Sequence, residues 1–92
     1  MIKFLMLGKY SLASVKGISS GRTKKAVALI KKNRGRVISM HALLGGYDLV
    51  LMVEFPGVAE AMKASVELVK MTSISFTTLP ALTVDAFDRM MR

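Results

Sequence analysis

The stretch Arg36–Phe55, RVISMHALLGGYDLVLMVEF, decides the fold. Two apolar runs, residues 36–44 and 47–55, flank Gly45-Gly46. They predict a β-hairpin, because a two-residue primed turn needs positive φ at its centre. With the two glycines as the whole turn, Leu44 faces Tyr47 and paired residue numbers sum to 91. One face then carries Ile38, Met40, Ala42, Leu44, Tyr47, Leu49, Leu51, Val53 and Phe55. It is almost wholly apolar and is expected to meet helices. The other carries Val37, Ser39, His41, Leu43, Asp48, Val50, Met52 and Glu54, a mixed surface.

Outward from the hairpin the period becomes helical on both sides. Upstream, Ala26, Val27, Leu29, Ile30 and Asn33 fall on one side of a helix over residues 22–34. Lys24, Lys25, Lys31 and Lys32 fall on the other. Ser19 or Ser20 is positioned to cap it, and Gly35 to end it. Downstream, Pro56 is suited to the first turn of a helix running to about Lys70. Its buried side is read as Val58, Met62, Ser65, Val66 and Val69, opposite Glu60, Lys63, Glu67 and Lys70. Residues 1–10 and 73–82 read as the first and fourth strands, with Pro80 marking the latter as an edge. Residues 11–21 read as a loop or short turn, and residues 85–92 as a short C-terminal helix.

The order βαββαβ predicts an α+β, ferredoxin-like domain over residues 1–92, with a four-stranded antiparallel sheet and two helices on one face. The first and third strands are then antiparallel neighbours. A register summing to 57 sets Lys3 opposite Glu54 and Lys9 opposite Asp48, so Asp48 is expected to pair with Lys9 at the cavity edge. The open face gains Leu5 and Leu7 from the first strand and Leu79 from the last. Large apolar side chains left in water forfeit roughly 1.5–3 kcal/mol each. A second copy packed sheet to sheet is the expected remedy, giving a dimeric α+β barrel.

Composition bounds the chemistry. The chain has 92 residues, 52% of them apolar, no cysteine and one histidine. Thiolate chemistry, disulfides and a multi-histidine metal site within one chain are excluded, and neither metal nor cofactor is expected. No apolar run approaches the ~20 residues of a membrane span, and Lys3 and Lys9 bracket too short an apolar core for a signal peptide. A cytoplasmic protein without a membrane partner is expected. The formal charge of +8 is uneven. Met1–Tyr47 holds ten basic residues and no acid, whereas Asp48–Arg92 holds four basic residues and six acids.

Gly46-Tyr47-Asp48 after an apolar strand, followed by Leu49-Val50 and closed by Glu54-Phe55-Pro56, resembles the GYD domain family. The Thr78-Leu79-x-Ala81 strand ending and the helix-to-strand passage through Gly35-Arg36 are also similar. The resemblance covers nearly the whole chain. It implies a ferredoxin-like fold that dimerises as an α+β barrel, and it brings no catalytic residues. Two departures stand out. His41 replaces an aromatic residue, and Ser11-Leu12-Ala13-Ser14 replaces a Thr-x-x-Gly-like segment.

The function expected on these grounds is that of a homodimeric small-molecule-binding or accessory domain. Candidate cavity residues are His41, Asp48, Lys9 and Ser39 on the open face, and Tyr47 on the helix-facing side. A cofactor-independent oxygenase- or isomerase-like enzyme would use His41 with Asp48 as a general acid–base pair. The alternative to that chemistry is a half-buried histidine against a partner subunit. A third possibility is anion or nucleic-acid binding through Lys24, Lys25, Lys31 and Lys32. Against it, no aromatic residues interleave with the lysines, and such a face is usually just solvated.

Overall fold

A computed structural model describes residues 1–92. Strand β1 is Ile2–Lys9, α1 Leu12–Lys16, α2 Ser20–Lys32 and β2 Arg36–Ala42; β3 is Leu49–Phe55, α3 Val58–Thr72, β4 Ser75–Ala81 and α4 Val84–Met90. The four strands form one antiparallel sheet in the order β2-β3-β1-β4. This is the ferredoxin-like α+β arrangement, with a one-turn helix added before α2 and a C-terminal helix after β4. No helix is long and apolar enough to cross a membrane.

The β1–β3 register runs from Ile2 opposite Phe55 to Gly8 opposite Leu49, with Lys3 opposite Glu54. It is the expected register. Phe4, Met6, Leu51, Val53 and Phe55 therefore share one face, where they are buried with Ile30 of α2 and Ala61, Ala64 and Leu68 of α3. Phe4 and Phe55 meet edge to face, ring centroids 6.1 Å apart.

The hairpin departs from expectation at both ends. From Ser39 to Ala42 its partners sum to 91, but a β-bulge lies between Val37 and Ser39. Ile38 is the extra residue. The bulge turns Val37 opposite Val53 and against the core, while Ile38 stands 46% exposed. The two residues thus exchange the faces assigned to them by strict alternation. At the other end the strands stop at Ala42 and Leu49, so the connection is longer than a two-residue primed turn. Leu44 projects fully into solvent and Gly45 sits at φ 151°, a backbone that L side chains rarely adopt. Tyr47 lies in this loop and is exposed.

Both helix starts have local causes. Ser11 caps α1 in a reciprocal box with Ser14, and Ser19 caps α2 through the Arg22 amide. Helix α2 closes differently from expectation. Arg34, at φ 66°, takes the left-handed position, and the Gly35 amide donates back to Ile30 O at 2.9 Å. Gly35 is required for space: a Cβ there would stand 2.4 Å from the Phe55 ring. Pro56 precedes the N-cap Gly57 and lies outside the first turn.

Helix α3 corrects the largest misreading. Its buried residues are Ala61, Ala64, Leu68 and Thr72. Val58, Met62, Val66 and Val69, expected inside, are 57%, 64%, 55% and 39% exposed. The small side chains of Ala61 and Ala64 let the helix axis approach the sheet closely, and Ser65 is bonded to Thr78 of β4 at 2.7 Å. On the opposite flank Glu67 accepts a hydrogen bond from Asn33 of α2 at 2.8 Å.

Candidate functional site

The open face of the sheet assembles as its register requires. Lys3, Leu5 and Leu7 of β1 stand beside Glu54, Met52 and Val50 of β3, with Ser39 and His41 of β2 and Thr77, Leu79 and Ala81 of β4 flanking them. Neither long helix covers it, Ala86 of α4 borders its Lys3–Glu54–Ala81 corner, and Leu5, Leu7, Val50 and Met52 form a half-buried apolar centre. His41, opposite Val50, is exposed and makes no hydrogen bond to Asp48. Ser39 lies two pairs further along, opposite Met52. The structure thus brings His41 and Ser39 onto one face but forms no acid–base pair there.

Asp48 is held by backbone. Its amide donates to Gly8 O at 2.9 Å, and its carbonyl accepts from the Leu43 amide at 2.9 Å. Its carboxylate accepts from the Tyr10 amide at 2.8 Å. The expected ion pair with Lys9 does not form; the only ion pair in the chain joins Arg36 to Glu54. The reason is geometric. The β1–β3 ladder ends one pair earlier, at Gly8–Leu49, and the chain beyond Lys9 presents a bare amide to the carboxylate. A charge-assisted bond to a backbone N–H fixes the strand end as a lysine would, with no mobile side chain to order.

An apolar cavity of about 50 Å³ lies on the other side of the sheet, between β2, β3, β4, the chain just past β1 and the two long helices. Met40, Leu49, Leu51, Leu68 and Phe76 supply apolar wall. Tyr10, Arg22, Thr23 and Thr72 supply its polar groups. The Arg22 guanidinium stands over the Tyr10 ring, 5.6 Å from its centroid, and donates to Ser14 O. Arg22 is therefore tethered to α1, whose own position is fixed by a bond from Ser11 Oγ to Ser73 O at 2.9 Å. The segment Ser11–Ser14 thus serves as the support of the cavity's only charged residue.

Neither Tyr10 nor Arg22 was singled out as a site residue from sequence, although the signal is there. Tyr10 continues the alternation Phe4, Met6, Gly8 onto the helix side. Arg22 lies one turn before Ala26 on the buried stripe of α2. Lys24, Lys25, Lys31 and Lys32 are all exposed, on the side expected. None of them is ion-paired.

A model of the GYD domain family matches residues 4–91 of the chain. No curated protein matches it, and no solved structure does.

Proposed function

The chain belongs to the GYD domain family, and we propose that it is a cytoplasmic homodimeric domain that binds a small molecule with an apolar body and an anionic end. The observation that carries this reading is the cavity between sheet and helices: apolar walls, with one guanidinium at Tyr10. An apolar pocket with few oriented polar groups is the general form of a small-molecule site. A guanidinium has five donors, and the bond to Ser14 O leaves others for a carboxylate. A volume of about 50 Å³ suits a group of a few heavy atoms, such as a short-chain acid. The dimer rests on the open face, where Leu5, Leu7, Val50 and Met52 form an apolar centre that a second sheet would cover.

Titration with butyrate, followed by amide NMR, tests the binding. The expected result is saturable shifts confined to Thr23, Ala26 and Ile74, lost in Arg22→Gln and in the cavity-filling Ala26→Leu. Shifts that follow only the exposed lysines would defeat the reading. For the dimer, Val50→Lys or Met52→Lys is expected to halve the mass of the sheet-to-sheet assembly. An unchanged mass would rule that interface out.

A second reading is favoured by one observation: Lys24, Lys25, Lys31 and Lys32 lack the ion pairs that would make them merely structural. Such a face suits a polyanion, and nucleic-acid contact would show as affinity falling steeply with salt. Retention on heparin unchanged by Lys→Gln at all four positions would dismiss it.

A further inference from the structure

The two edges of the sheet are defended unequally. On the β2 edge, Arg36 and His41 are exposed and the bulge at Ile38 interrupts the ladder. These are the devices by which natural proteins keep edge strands from pairing with other chains. The β4 edge has almost none. β4 pairs only with β1, so its outer amides and carbonyls have no partner. No charged residue occurs between Lys70 and Asp85, and the one interruption is Pro80, near the strand's end.

Beside this edge runs the exposed apolar stripe of α3. Val58, Met62, Ser65 and Val69 recur at spacings of four, three and four residues, with Val66 adjoining, and so share one flank of the helix. Ser65 touches Thr78 of β4, whereas Glu67 on the far flank touches Asn33 of α2. The exposed stripe therefore lies on the β4 side, away from α2. An uncharged strand edge and an apolar helix flank form one continuous strip.

We propose that a second copy of this chain occupies that strip. Its β4 pairs antiparallel with this β4 across a two-fold axis, and the Val58–Met62–Val66–Val69 stripes of the two α3 helices pack together. Charge selects the occupant. Two copies each carrying +8 repel one another least where their surfaces are neutral, and none of the residues that form this strip is charged. Geometry agrees, because an antiparallel edge is complementary to itself under a two-fold axis. Isologous pairing also closes, and so hides the edge without propagating a fibre. This interface is independent of the sheet-to-sheet contact proposed above. With both present the protein is a tetramer.

Native mass spectrometry and light scattering at micromolar concentration test the proposal. Met62→Lys combined with Val66→Lys changes only exposed positions, and circular dichroism checks that the fold survives. The expected result is a halved mass, whereas Val50→Lys halves it by the other interface. Hydrogen exchange gives a second readout: outer β4 amides are expected to be protected in the unmodified protein and to exchange in the α3 variant. A wild-type dimer that the α3 variant dissociates and Val50→Lys does not would support this interface and remove the other. A mass unchanged by the α3 variant, or a wild-type monomer, would overturn the proposal.

Discussion

Helices α2 and α3 lie on the same face of the same sheet, yet they mark their solvent sides differently. In α2, Lys24, Lys25, Lys31 and Lys32 oppose Ile30 and Asn33, and the structure exposes the first set and buries the second. In α3, two flanks are free of charge. One carries Ala61, Ala64, Leu68 and Thr72, the other Val58, Met62, Val66 and Val69, and the bulkier flank is outside. Hydrophobicity alone ranks the wrong flank higher. What decides is distance: a helix seated closely on a sheet needs small residues at the contact, because cores are packed to crystal-like density. An apolar flank left outside is then evidence about a partner.

The comparison breaks most visibly at Leu68. With the observed phase, Leu68→Ala is expected to cost about 2–5 kcal/mol, as for other fully buried leucines. With the opposite phase it would cost little. Urea denaturation of the two chains measures the difference directly.

Ala64→Leu sharpens the same point from the other side. Ala64 is completely buried, so added methylenes must displace α3 from the sheet, at about 1–3 kcal/mol. On an outward-facing position the same change would be neutral or slightly stabilising. The counterpart at the end of α2 is Gly35→Ala, whose Cβ would meet the Phe55 ring and Ile30. A similar loss of stability is expected there.

The two helices are also joined, through the Asn33 side chain and Glu67. Asn33 is buried, and it donates to Leu29 O at 3.0 Å as well. Removing either partner is expected to cost about 1 kcal/mol, near the usual net value of a hydrogen bond. In a double-mutant cycle, Asn33→Ala and Glu67→Ala should therefore cost less together than the sum of their separate effects. Strict additivity would mean that the helices are held by packing alone.

What could be read in advance follows the same division. The β1–β3 register was legible because Phe4, Met6, Leu51 and Val53 are apolar on one face, while Lys3 and Glu54 face each other on the other. The bulge at Ile38 was not, since Val37 and Ile38 are both β-branched and apolar and either fills the core position. The open face with His41 and Ser39 was legible from alternation. The partner of Asp48 was not, because it is the Tyr10 amide, and a backbone donor carries no residue signature. The cavity was missed for a related reason: it is bounded by the close seat of α3, which is where the phase was misread.

The smallest expected effect closes the comparison on the α2 side. Replacing Lys24, Lys25, Lys31 and Lys32 together by Gln takes the formal charge from +8 to +4. Gln and Lys have nearly equal helix propensities, so the change isolates charge. All four side chains are exposed and none is ion-paired. Each replacement is therefore expected to shift stability by no more than about 0.5 kcal/mol. The sign of the sum is informative. Lys31 and Lys32 sit in the last turn, where cations favour the helix end, so their loss is slightly destabilising. Lys24 and Lys25 are the fifth and sixth residues of α2, nearer the end where a cation is unfavourable, so their loss offsets part of it. Thermal midpoints measured for the 24/25 pair and the 31/32 pair separately should move in opposite directions and converge in high salt. Parallel shifts would mean that the lysines act through their summed repulsion, which grows with their number and not with their place on the helix.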